Sequence, residues 1–147
     1  MYIKELKLLC LLSMSSVMFA CNNNTATTQS VETNNIASPN DEKPTVKNIN
    51  QQEFITLQKD SNTLVLDVRT PGEIAEGYIK GTQLFIDING SNFQDELNKL
   101  DKSKTYLVYC RSGARSSRAA SAMIDAGFKV VYNLTGGIMG WSGETVK

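Results

Sequence analysis

The sequence predicts an α/β domain with a mainly parallel central sheet flanked by helices, and three observations predict it. Residues 63–68 and 105–109 are nearly continuous apolar, β-branched or aromatic runs, the pattern of strands buried on both faces. These runs alternate with segments that carry helical spacing and helix-capping residues, the order of βα units rather than hairpins. The second run ends on Cys110 and passes almost at once into a helical pattern. A reactive residue type therefore stands at the carboxyl end of a buried strand, where open parallel sheets place their ligands.

Taken in order, residues 1–20 set Lys4 and Lys7 before an apolar stretch, 8–20, that is too short to span a bilayer comfortably. This is the layout of a secretory signal. Residues 21–45 are rich in Asn, Thr, Ser and Gln, include Pro39 and Pro44, and hold almost no bulky apolar side chains. Such a segment cannot bury enough surface to offset the entropy of ordering, so it is expected to be a disordered tether.

The folded domain is expected over 46–147, small but sufficient for one core. Asn50 with Glu53 predicts a capping box for a helix running to about Lys59. A strand follows over 63–68. Thr70, Pro71 and Glu73 supply an N-cap, a proline in the first turn and a capping carboxylate for a short helix stopping at Gly77. Residues 84–88 read as a strand, 93–100 as a helix and 105–109 as a strand. From Arg115 to Ala126 the apolar positions Ala119, Ala122, Met123 and Ala126 recur at helical spacing, with Gly127 where a C-terminal cap belongs. The last strand is predicted over 128–134, before the paired Gly136 and Gly137, which allow close backbone approach. The single Trp141 reads as core or as the wall of a pocket.

Cys110 thus opens a loop, Cys110-Arg111-Ser112-Gly113-Ala114-Arg115-Ser116, between a strand and a helix N-terminus. The first amides of a helix lack internal partners and favour an anion. A thiol there, beside arginines, is lowered from its reference value near 8.5 and becomes a thiolate nucleophile at neutral pH. Arg111 and Arg115 supply fixed positive charge, and Gly113 permits a positive φ that turns successive amides toward the sulfur. Asp67 and Arg69 end the strand at 63–68. They either brace the cysteine loop or neighbouring backbone, or only pair with each other or with Glu73 as a structural ion pair.

Composition narrows the chemistry. Histidine is absent, so Ser-His-Asp and Cys-His pairs and His-containing metal sites are excluded. The three cysteines, Cys10, Cys21 and Cys110, match no Cys-x-x-Cys spacing, and no metal or other cofactor is expected. Net charge is zero, with no Lys or Arg cluster dense enough to track a phosphate backbone, so nucleic acid is not an expected partner.

Two resemblances extend this reading. Ala20 directly before Cys21, followed by Asn22 and a polar run, resembles the lipobox of bacterial lipoproteins, although Met18 and Phe19 stand where that family prefers leucine and a small residue. It implies lipidation of Cys21, a membrane anchor, and a location facing the periplasm or cell exterior. Cys10 would leave with the signal, and Cys110 would remain as an unpaired thiol in an oxidising compartment.

The segments 66–73, 77–81, 109–116, 126–128 and 134–141 together resemble a single-domain rhodanese, over about residues 46–144. The resemblance implies a rhodanese-like fold and a sulfurtransferase of the thiosulfate:cyanide type. It makes Cys110 the residue that carries sulfur as a persulfide, the loop from Arg111 to Ser116 its binding site, and Arg115 an attractor of the donor. The implied partners are a small anionic sulfur donor such as thiosulfate and a thiol or cyanide acceptor. Tyr78 stands where the family commonly has histidine. Related phosphatases have a loop one residue longer than this Cys-x4-Arg. A phosphatase or arsenate reductase, and a non-enzymatic membrane-tethered redox-sensing or binding module, are the alternatives.

Overall fold

The computed structural model describes residues 44–147; the predicted signal segment, Cys21 and most of the tether lie outside them. Five strands form one sheet in which every pairing is parallel: β1 (Val46–Ile49), β2 (Thr63–Asp67), β4 (Leu84–Phe85), β5 (Thr105–Tyr109) and β6 (Val130–Leu134). Their spatial order is β1-β6-β5-β2-β4, which sets β5 at the centre. A separate antiparallel pair joins β3 (Tyr78–Ile79) to β7 (Thr145–Val146).

The helices are α1 (Gln51–Leu57), α2 (Pro71–Ala75), α3 (Phe93–Asn98) and α4 (Ala114–Asp125). Both predicted capping boxes form: Asn50 exchanges hydrogen bonds with Glu53 at the start of α1, and Thr70 with Glu73 at the start of α2. Helix α4 ends as its glycine predicts. Gly127 takes φ +94°, its amide bonds to the Ile124 carbonyl at 2.9 Å, and that of Phe128 to Met123 at 3.1 Å.

Alternation along the strands divides the core in two. Leu66, Tyr106, Val108 and Val131 pack with Leu97 of α3 and Ala119, Ala120 and Met123 of α4. Val65, Leu107, Tyr109 and Leu134 pack with Phe54 of α1. Trp141, half-buried, packs against this second cluster, edge-on to Phe54 with ring centroids 5.4 Å apart. Tyr78 lies edge-on to Phe85 at 4.9 Å, which fills the space beside β3.

Element ends differ from the sequence reading for identifiable reasons. Phe128 is spent on the exit of α4, so β6 starts at Val130 rather than at 128. The strand expected over 84–88 stops at Phe85, yet Ile86 and Ile88 still donate to the Asp67 and Val68 carbonyls at 3.0 and 3.3 Å. Helices α1 and α3 end short of Lys59 and Leu100, where the last amides reach back three residues instead of four. Strand β1 was not expected, because Val-Lys-Asn-Ile buries only Ile49.

Candidate active site

The loop between β5 and α4 is shaped by its neighbour, the 3-10 turn Gly137–Gly140. The amides of Ile138 and Met139 donate to the carbonyls of Cys110 and Arg111 at 2.9 and 3.0 Å. A planar trans peptide points its N–H opposite to its C=O. Fixing those carbonyls toward the turn therefore directs the amides of Arg111 and Ser112 away from it, and that of Ser112 is one of the donors to the sulfur. The paired glycines make this approach possible. A Cβ on Gly137 would lie 2.6 Å from the Arg111 carbonyl oxygen.

Cys110 is buried, with 1% exposure. The Gly113 amide donates to Sγ at 3.1 Å from a backbone with φ +98°, and Ser116 Oγ lies 3.4 Å from the same sulfur. Burial pushes the thiol up, but the Ser116 hydroxyl and the amides of Ser116, Gly113 and Ser112 outweigh it, so the thiol is held below its ordinary value. Among the described residues Cys110 is the free cysteine, and no three Cys, Asp or Glu side chains converge to hold a metal ion.

Arg115, expected as fixed positive charge near the thiol, does interact with Cys110 but is also half of an ion pair. Its Nη1 and Nη2 donate to the two carboxylate oxygens of Glu73 at 2.7 and 2.5 Å. The Arg115 hydrogen bond, against the cost of burial and with help from Thr70, lowers the Glu73 carboxyl to about 2. Stabilisation from a lowered carboxyl is complete above the ordinary value of 4.5 and is lost as pH falls toward 2. The side chains are 22% and 26% exposed, so after solvent screening the loss is about 2 kcal/mol. Urea unfolding between those pH values is expected to show that acid loss in the wild type and a flatter profile in Glu73→Gln; equal slopes would contradict it.

Among the described residues no hydrogen bond or ion pair joins Asp67 or Arg69 to the cysteine loop, although Arg69 lines the same cavity as Arg111. Arg69 Nη2 donates to Asp67 Oδ2 at 2.6 Å and Nε to both carboxylate oxygens, with side chains almost wholly buried. The guanidinium also donates to the carbonyls of Glu73 at 3.2 Å and Gly77 at 2.8 Å. Both sequence alternatives thus hold in part: the two residues pair with each other and brace neighbouring backbone. That backbone is α2 and the residues just after it, and Glu73 of α2 meets Arg115.

Arg111 is exposed and, among the described residues, makes no ion pair. It lines a cavity of about 450 Å³ together with Arg69, Glu73, Glu76, Ile138 and Met139. Ala114 begins α4, and Ser112 stays at the surface. Sequence reasoning missed the Glu73–Arg115 pair, because Glu73 was already assigned as a cap. It also missed Asn133, whose Oδ1 lies 2.6 Å from Ser116 Oγ, since one polar residue in a strand carries no motif.

The family model of the rhodanese-like domain matches residues 50–144, which include every element from α1 to the 3-10 turn. The chain belongs to the rhodanese-like domain family. Its relatives include YtwF of Bacillus subtilis, provisionally named a sulfurtransferase, 37% identical over 89 residues that cover 60% of this chain and 82% of YtwF. A sulfurtransferase of Allochromatium vinosum is 34% identical over 86 residues, 58% of this chain and 78% of that protein. A rhodanese-related protein from Thermoplasma volcanium has a solved structure that superposes with a TM-score of 0.59 at 30% identity, covering 68% of this chain and 97% of that one. A longer relative, a tRNA uridine(34) hydroxylase of Pelagibacter ubique, is 37% identical over 93 residues, which cover 63% of this chain and 31% of that protein.

Proposed function

We propose that this rhodanese-like domain is a sulfurtransferase that moves sulfane sulfur from thiosulfate or a related anion to a thiophilic acceptor. The observation that carries the reading is the amide and hydroxyl cradle that holds the Cys110 thiol below its ordinary value. The thiolate attacks the sulfane sulfur, the sulfur–sulfur bond of thiosulfate breaks, and sulfite leaves with the electron pair. Cys110 then carries a persulfide. Cyanide or a thiolate attacks its outer sulfur, takes it away, and returns the bonding pair to Sγ. Neither step needs a proton relay, which suits a chain without histidine.

In the cavity beside the loop the exposed Glu76 balances Arg111 in net charge, so an anionic donor would rely on a direct contact with one arginine. Arg115 is held by Glu73 while also facing Cys110, and Arg111, exposed and without an ion-pair partner among the described residues, is the cation free to move toward a donor, beside Met139 at 67% exposure. Arg111→Ala is expected to raise KM for thiosulfate about tenfold with little change in kcat, the mark of lost donor binding. An unchanged KM would place the donor elsewhere. The class of reaction is tested by turnover: the wild type is expected to consume thiosulfate with cyanide and to leave an aryl phosphate intact. Aryl phosphate hydrolysis without sulfur transfer would overturn the reading.

A further inference from the structure

A chain of polar side chains leads away from the Cys110 sulfur across two strands. Ser116 Oγ lies 3.4 Å from Sγ, 3.1 Å from the Gly113 carbonyl oxygen and 2.6 Å from Asn133 Oδ1, and Asn133 Nδ2 donates to Asn48 Oδ1 at 2.8 Å. The charged group facing Cys110 is Arg115, itself paired with Glu73. Asn48 and Asn133 are register partners in β1 and β6. Ser116 and Asn133 are buried, whereas Asn48 is exposed and ends the chain in solvent.

Ser116 has a single proton to give. It cannot serve Asn133 Oδ1 at 2.6 Å and a thiolate at once, and the Gly113 carbonyl at 3.1 Å, the longer of the two oxygen contacts, is a weaker competitor for it. With a neutral thiol there is no conflict: S–H donates to Ser116, Ser116 to Asn133, and Asn133 to Asn48, every bond running away from the sulfur. A thiolate only accepts, so each bond must then run the other way, with Asn48 Nδ2 donating to Asn133 Oδ1, Asn133 Nδ2 to Ser116 Oγ, and Ser116 to Sγ. A half-turn of the two amide groups achieves this, because oxygen and nitrogen exchange places at nearly the same distances. Asn133 keeps a partner at both ends, and Asn48 merely exchanges which of its atoms faces water.

We propose that Asn133 is a positioning residue for the nucleophile, its amide turning over together with that of Asn48 when Cys110 ionises, so that Ser116 donates to the thiolate. No proton travels along the chain; the thiol proton leaves to solvent and the relay only reverses its direction. This deepens the reading of Cys110 as a nucleophile and rests on it.

The test follows alkylation of Cys110 by iodoacetamide across a pH series, read on its own peptide, in the full chain. Wild type, Asn133→Asp, Ser116→Ala and the double variant are compared. A carboxylate at position 133 only accepts, so it pins the Ser116 proton away from the sulfur. Asn133→Asp is expected to slow alkylation near neutral pH about tenfold when Ser116 is present and no more than about threefold when it is absent. Equal slowing in both backgrounds would mean that charge alone acts, and would overturn the relay. If Asn133→Asp does not fold, the wild type decides by NMR. The Asn133 side-chain amide protons are expected to show contacts to Asn48 Hβ below the thiol midpoint and to Ser116 Hβ above it; a single pattern throughout would overturn the proposal. Neither readout requires sulfur transfer, so failure of the relay and failure of the sulfurtransferase reading are distinguishable.

Discussion

Replacing Cys110 with serine is expected to lower thiosulfate-dependent thiocyanate formation by at least about a thousandfold, because an alcohol does not ionise near neutral pH and forms no persulfide. The fold should survive. Serine differs by one atom, and the Gly113 amide that meets Sγ at 3.1 Å has an oxygen to meet instead. Cys110 packs in the apolar cluster beneath α4, so a cost of about 1 kcal/mol is expected in urea unfolding. Transfer close to the wild-type rate by this variant would place the chemistry on another residue.

The second large effect is expected at Gly137, far less conspicuous in sequence. Its φ of +54° lies in the left-handed region, which costs a residue with a side chain about 1 kcal/mol. Sterics add more. A Cβ would press on the carbonyl oxygens of both Cys110 and Arg111, and the obstructing atoms are backbone, which has no rotamer to change. Those carbonyls are held by the Ile138 and Met139 amides, so relief of the clash must move the loop and misdirect the amides that face the sulfur. Gly137→Ala is expected to lose about 3 kcal/mol of stability and at least about a hundredfold in transfer rate. Gly140→Ala, where a Cβ meets nothing within 4 Å, is the control and should be nearly neutral. Equal behaviour of the two would show that the turn does not shape the loop.

What the sequence made legible follows from how local each feature is. The strands β2 and β5, both capping boxes and the glycine exit of α4 are written in consecutive residues, and the structure places them within a residue or two of expectation. The cysteine loop was legible for the same reason: Cys110, Gly113 and Arg115 lie within one turn of chain between a strand and a helix. Features set by distant partners were not. Strand β1 is a polar edge whose identity comes from pairing with β6, some 85 residues further on. Glu73 meets Arg115 across 42 residues, so the positive charge that faces Cys110 is shared with a carboxylate. Asn48 and Asn133 become a connected path to the sulfur only once β1 and β6 lie side by side.

The central claim is that Cys110 accepts a second sulfur atom, and mass spectrometry of the full chain after incubation with thiosulfate tests it most directly. The predicted result is a gain equal to one sulfur, mapped to the Cys110 peptide, absent from Cys110→Ser and removed by cyanide. A Cys110 peptide that stays at its unmodified mass under these conditions, in folded protein, would contradict the account.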